Sequence, residues 1–184
     1  MVRLRVLLVT LILGACQQDL PLDIWVEDSA TELEEAIIVS MIDEANRGYG
    51  EELLGHPVFT YQGRHRDPNG FSPEDFDDGM MVIYTLHEKS PYWQDAVDLK
   101  DGPYNHDSTV GYGTLSDGII FRYRLPDDHK FATVTLHEMG HMLGMGHLPL
   151  DMKAVMYPRV NGVTMVSRAD QKAFCGIYDC TVPE

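Results

Sequence analysis

Residues 137–147 read HEMGHMLGMGH. His137 and His141 are four apart, and on a helix that spacing stacks both imidazoles on one face, where they can share a metal ion. Glu138 stands beside the first of them, placed to handle a water at that ion. His147 follows six residues after His141 and does not continue the same face. Gly144 resolves the mismatch: a left-handed residue there ends the helix and turns the chain so that His147 returns as a third ligand. Three imidazoles leave a fourth coordination position open, the arrangement of a catalytic rather than a structural zinc. A helix carrying the same histidines without metal would have to find hydrogen-bond partners for three clustered rings.

Working outward, Phe131 to Met145 predicts the helix that carries this motif. Ser167-Arg168-Ala169-Asp170 opens a last helix with Ala173, Phe174 and Ile177 on one face. Upstream, Ile24 to Glu27 predicts a strand. Ser29-Ala30-Thr31-Glu32 has capping-box form, and Leu33, Ile37, Met41 and Ala45 recur at helical spacing up to the region of Gly48 and Gly50. Val58 to Gln62 and Met80 to Leu86 read as strands. Tyr112 to Leu115 and Ile119 to Tyr123 flank a hairpin-like turn at Ser116-Asp117-Gly118. Residues 63–79 and 88–108 read as loops. There is no internal repeat and no linker long enough to split the chain, so one catalytic domain over residues 24–184 is expected, as a monomer.

The 184 residues carry 14 basic and 29 acidic side chains, a formal charge of −15, and 44% hydrophobic residues. That balance supplies a core and excludes nucleic acid as a partner, which would need a basic footprint. Residues 1–15 read as a signal peptide: Arg3 and Arg5 precede a short apolar run, and Leu13-Gly14-Ala15-Cys16 is similar to the bacterial lipoprotein box. Cys16 is then the acylated residue and 16–23 a tether. Gln17 after the cysteine favours the outer membrane over the inner one, with the cell surface as a further destination. Cys175 and Cys180 remain, and in an exported chain a local bridge between them is the first reading.

The extended motif H-E-x-x-H-x-x-G-x-x-H resembles that of the metzincin clan of zinc peptidases at every defined position. Ala154-Val155-Met156-Tyr157-Pro158 resembles the clan's Met-turn, and within the clan it is most similar to the matrixins. The resemblance is strongest over Phe131 to Tyr178. It implies an α+β fold: a twisted, mostly parallel sheet with two long helices, then a small C-terminal lobe with one helix. It further implies one catalytic zinc on His137, His141 and His147, with Glu138 as general base and Met156 beneath the ligands. Tyr157 and Pro158 would wall the pocket after the scissile bond, and an edge strand near Tyr112 to Leu115 would hold substrate by strand addition. Pro158 stands where some clan members have a tyrosine that reaches the zinc, so no such ligand is carried over. Leu148 replaces the serine usual in matrixins. His106-Asp107 is only a faint echo of their structural zinc site.

The expected activity is zinc-dependent endopeptidase action on proteins or peptides outside the cytoplasm, on a chain attached to a membrane through Cys16. Two rivals stand beside it: a zinc-bearing lipoprotein that binds a partner with little turnover, and an amidase of cell-wall peptides. Calcium could be held by the acidic run Glu74, Asp75, Asp77, Asp78 or by residues 101–118. Asp19 or Asp23, ahead of the first strand, could block the zinc and keep the enzyme latent. His56, His65, His87 and His129 lack ligand spacing, and Trp25 and Trp93 read as core.

Overall fold

The computed structural model describes residues 19–66, 81–85, 111–114, 118–121 and 127–183. Five strands form one sheet: β1 (Leu22–Glu27), β2 (Phe59–His65), β3 (Met81–Thr85), β4 (Gly111–Thr114) and β5 (Gly118–Phe121). Their spatial order is β2-β1-β3-β5-β4, with β4 at an edge. The first four run parallel, and β4 is antiparallel to β5. Helix α1 (Glu32–Ala45) makes the crossover from β1 to β2; α2 (Asp128–Met142) and α3 (Arg168–Tyr178) follow the sheet. This is the α+β arrangement, a mostly parallel sheet with two helices and then a last one, that the resemblance implied.

Local chemistry sets where α1 begins. The Thr31 hydroxyl accepts from the Glu34 amide at 3.2 Å, and the Glu34 carboxylate accepts from the Thr31 amide at 2.8 Å. The capping box is thus Thr31 with Glu34, two residues beyond the frame read from Ser29. Ser29 instead donates to the buried Glu27 carboxylate. Three glutamates in the first turn suit the positive end of the helix dipole. The buried stripe is Ile38, Met41, Ile42 and Ala45, an i, i+3, i+4, i+7 set. Leu33, expected on that face, lies about 140° round the helix from Ile38 and is 57% exposed.

β1 starts at Leu22, two residues before the predicted strand, because the Leu22 amide donates to the Val58 carbonyl at 2.9 Å. Leu22, Ile24 and Val26 of β1, with Met81 and Ile83 of β3, build one face of the core against Phe131, Val134, Met139 and Met142 of α2. Trp25, expected in the core, is half-buried. α2 lies against α1 on one side and β4 on the other, so the edge strand runs beside the helix that carries the histidines.

Beyond Ala45 the chain widens into a π-helical turn, Asn46–Glu51. Asn46 stitches that turn to β2: its Nδ2 donates to the Phe59 carbonyl at 2.9 Å, and its Oδ1 accepts from the Val58 and Phe59 amides at 2.9 and 2.8 Å. Tyr49 is fully buried there and stacks on Phe174 of α3 with centroids 5.1 Å apart, and Phe174 stacks on Tyr178 at 4.4 Å. The Val166 amide donates to Glu44 at 2.8 Å. Cys175 and Cys180 are disulfide-bonded, with Cα atoms 4.5 Å apart, and close the end of α3. No helix among the described residues is long and apolar enough to cross a membrane.

Burial holds the Tyr49 phenol well above its usual pKa, with the Asp170 and Glu44 carboxylates adding to the effect, and its hydroxyl has no hydrogen-bond partner among the described residues. An unpaired buried hydroxyl costs about 1–3 kcal/mol. Tyr49→Phe should therefore leave stability unchanged or raise it by about 1 kcal/mol in urea denaturation; a clear loss would mean that the hydroxyl is bonded in solution.

Candidate metal centre

α2 starts at Asp127, whose carboxylate accepts from the His129 and Lys130 amides at 2.9 and 3.1 Å. It begins and ends three residues earlier than predicted, and the end is where the site is made. Gly144 has φ +79°, its amide donates to the His141 carbonyl at 2.9 Å, and the Met145 amide donates to the Gly140 carbonyl at 3.0 Å. This pair of bonds is the Schellman closure that a left-handed glycine permits. The turn brings His147 back, as the spacing predicted. Ring centroids of the three histidines lie 4.8 to 5.2 Å apart, and one ligand atom from each falls within 4.8 Å of the others.

The backbone decides which nitrogens face inward. His137 Nδ1 lies 2.7 Å from the Val155 carbonyl, and His141 Nδ1 lies 2.8 Å from the Met145 carbonyl. A carbonyl only accepts, so each Nδ1 carries the proton, leaving Nε2 with its lone pair free for a metal. His141 Nε2 is 3.2 Å from His147 Nε2. Burial pushes the His137 pKa down to about 4, partly opposed by the bond to Val155, and burial likewise lowers that of His141. Both rings are therefore neutral at pH 7, the ligating form. Three converging imidazoles are a donor set that fits zinc. Glu138 is buried beside His137 at 7% exposure.

Two residues that sequence reading passed over position this group. Gly140 occupies an undefined place within the motif, yet a Cβ there would lie 2.2 Å from Met156 Sδ and 2.9 Å from Met145 Cε. Met156, fully buried, packs against α2 at the one point where the helix has no side chain. Asp170, read only as part of a helix start, is fully buried. Its carboxylate accepts from the Val155 and Met156 amides at 2.9 and 3.0 Å, and from the Ser167 amide and hydroxyl at 2.9 and 2.6 Å. The Val155 peptide thus bridges Asp170 to His137. The signal available in the sequence was Asp at the third helical position after Ser167, the acid of a capping box, in a chain segment that had to pack on the Met-turn.

The loop between is tied as well. The Leu148 amide donates to the Met156 carbonyl at 2.7 Å, and Asn161 Nδ2 donates to the Met152 and Ala154 carbonyls at 3.1 and 2.7 Å. Tyr157 is half-buried and Pro158 exposed beside Met156. Asp23 sits in β1 with its carboxylate accepting from Gln62 at 2.7 Å, and neither it nor Asp19 joins the histidine group. The expectation that one of them blocks the metal gains no support. Cys16 and the segment before it, the acidic run at 74–78, His87, Trp93 and His106-Asp107 lie outside the described residues. His56 and His129 are exposed and His65 half-buried, all apart from the metal group.

Asp170→Asn keeps the shape but offers one accepting oxygen where two serve four donors. It should destabilise the fold by about 3 kcal/mol and weaken zinc affinity about 10–100-fold, read by denaturation and by competition with a chromophoric chelator. The depressed His137 pKa gives a second expectation for the metal-free protein. Above pH 6.5 the ring is neutral in folded and unfolded chains alike. As pH falls from 6.5 toward 4, only the unfolded chain takes up the proton, so stability drops by up to about 3 kcal/mol for this residue and levels off below 4. A flat stability profile over that window would show that His137 is solvated.

No curated protein matches the chain. Among solved structures, the crystal structure of myroilysin aligns with a TM-score of 0.48 and 11% identity, covering 89% of this chain and 86% of that one. The matrixin family profile matches residues 51–179, which is 129 of the 184 residues and includes all three histidines, Glu138 and the Met-turn. The chain belongs to the matrixin family of zinc metallopeptidases.

Proposed function

We propose that this chain is an exported zinc endopeptidase that hydrolyses peptide bonds in proteins outside the cytoplasm, attached to a membrane through acylated Cys16. The observation that carries the catalytic part is the convergence of the His137, His141 and His147 ligand atoms, two of the rings oriented by backbone carbonyls, with Glu138 on the same helical turn. Those three residues would hold the ion. Bound there, zinc supplies Lewis acidity, polarising a carbonyl and acidifying a water. Glu138 takes a proton from the attacking water and delivers it to the departing amine nitrogen. β4, with one edge unpaired in the sheet order, offers an extended substrate a strand to pair with, and Tyr157 and Pro158 line the way past the ligands. The membrane part rests on the sequence Leu13-Gly14-Ala15-Cys16.

The deciding comparison is wild type against Glu138→Ala. Zinc content should stay at one ion per chain while cleavage of a denatured protein falls by about 10²–10⁴-fold or more. Unchanged cleavage would remove Glu138 from the mechanism. Digestion of purified cell wall in place of the denatured protein would favour the amidase, and zinc binding without turnover on either would favour the partner-binding lipoprotein.

A further inference from the structure

Four large apolar side chains stand in solvent on the C-terminal part of the chain: Leu150, Met152, Val160 and Met165. Leu150 is 99% exposed, Met152 69% and Val160 48%. Asn161, next to Val160, clips its own segment to the Met152 and Ala154 carbonyls and so holds Val160 to the segment that carries Leu150 and Met152. The loop is held rather than loose: the Asp151 amide bonds the Leu148 carbonyl at 3.2 Å, the Lys153 amide bonds the Asp151 carboxylate at 2.9 Å, and the Ala154 amide bonds the Asp151 carbonyl at 3.1 Å. An ordered loop that projects a fully solvated leucine presents a convex tip. A substrate cleft would instead enclose its apolar residues.

The charge of the segment that carries the tip runs against that of the N-terminal segment. Residues 148–172 contain four basic side chains (Lys153, Arg159, Arg168, Lys172), all exposed, against two acidic ones, Asp151 and the buried Asp170. Residues 19–66 contain three basic side chains against eleven acidic ones. An apolar tip with exposed Lys153 next to Met152 and exposed Arg159 next to Val160, within an acidic protein, is complementary to a bilayer with anionic headgroups.

A relay of contacts joins the tip-bearing loop to the start of β1. Leu22 is bonded to Val58, Val58 to Asn46 of the π-helical turn, and Tyr49 of that turn to Phe174 of α3 by stacking. α3 in turn holds the tip-bearing loop through Asp170. Cys16 is six residues from Leu22, a span of at most about 20 Å. We propose that Leu150, Met152 and Val160, with Lys153 and Arg159, dock this domain onto an anionic lipid surface. The proposal extends the membrane-attached reading above but does not require it, since the tip is a binding element separate from the acyl group.

The test uses the full chain mixed with vesicles of phosphatidylethanolamine and phosphatidylglycerol that carry brominated acyl chains, which quench an indole on contact. Leu150→Trp is compared with Leu33→Trp, an exposed apolar position among Glu32, Glu34 and Glu35, each after subtraction of the parent emission. The indole added at position 150 should lose most of its emission and the one at 33 none, and replacing phosphatidylglycerol by phosphatidylcholine should weaken the loss. Leu150→Asp should lower vesicle partition of the unacylated Cys16→Ser chain about tenfold, with cleavage of a soluble peptide unchanged. Mass measurement at Cys16 reports attachment independently, so failure of docking and failure of anchoring are told apart. Equal quenching at both positions, or at neither, overturns the proposal. So does a Leu150→Asp chain that loses cleavage of soluble protein without vesicles, which would assign the tip to protein substrate.

Discussion

The site depends on one buried carboxylate. Asp170 accepts four hydrogen bonds, two from the first turn of its own helix and two from the Met-turn amides. A buried acceptor left with donors unpaired would be costly, so the geometry of these bonds is tightly held. The consequence travels one peptide further. Val155 gives its N–H to Asp170 and its carbonyl to His137 Nδ1. The first motif histidine, in the middle of α2, is thereby aimed by a residue 33 positions later on a different helix (170 − 137).

The same economy sets the other two histidines. The Schellman closure at Gly144 ends α2 and also exposes the Met145 carbonyl that receives His141 Nδ1. His147 leaves that turn already directed back toward α2. Met156 fills the notch at Gly140 from below, which fixes the distance between the Met-turn and the helix. Each imidazole pair is thus set by backbone geometry that exists before any ion arrives. Burial keeps His137 and His141 neutral, so binding at pH 7 does not first have to displace protons from them.

How much of this was readable in the sequence follows the range of the interactions. The i, i+4 histidines, the glycine turn and the return of His147 are local, and their spacing stated them. The strands were readable one by one from their apolar runs and turns, whereas the mostly parallel sheet with its edge near Tyr112 to Leu115 followed from the family resemblance. The face of α1 was misread because Leu33 is apolar but sits in the first turn, rotated off the stripe that Ile38, Met41, Ile42 and Ala45 define. The capping box was placed two residues early because both Ser29 and Thr31 precede a glutamate at plausible spacing, and only the buried Glu27, which Ser29 serves, separates them. Asp170, Gly140 and Asn161 were opaque as positioning residues. Beyond the capping-box spacing of Ser167 and Asp170, the contacts that make them positioning residues reach distant residues or main-chain atoms, which leave no spacing pattern to read.

Among the described residues after α2 there is no strand, so α3 is the regular element that holds the metal loop. That helix is secured by the capping box at Ser167 and Asp170, by the stack of Phe174 between Tyr49 and Tyr178, and by the disulfide from Cys175 to Cys180 at its end, with Gln171 Nε2 also donating to the Gly48 carbonyl and the Glu52 carboxylate at 3.0 and 2.7 Å. The first two are non-covalent and act only once the helix has formed. The third restricts the unfolded segment and so favours helix formation itself. Disulfides persist in oxidising compartments and not in the cytoplasm. An oxidising environment therefore strengthens the helix whose Asp170 orients His137. In the exported reading, delivery and completion of the site are then physically linked: the compartment that holds the substrates also favours the bond that steadies the metal-binding turn.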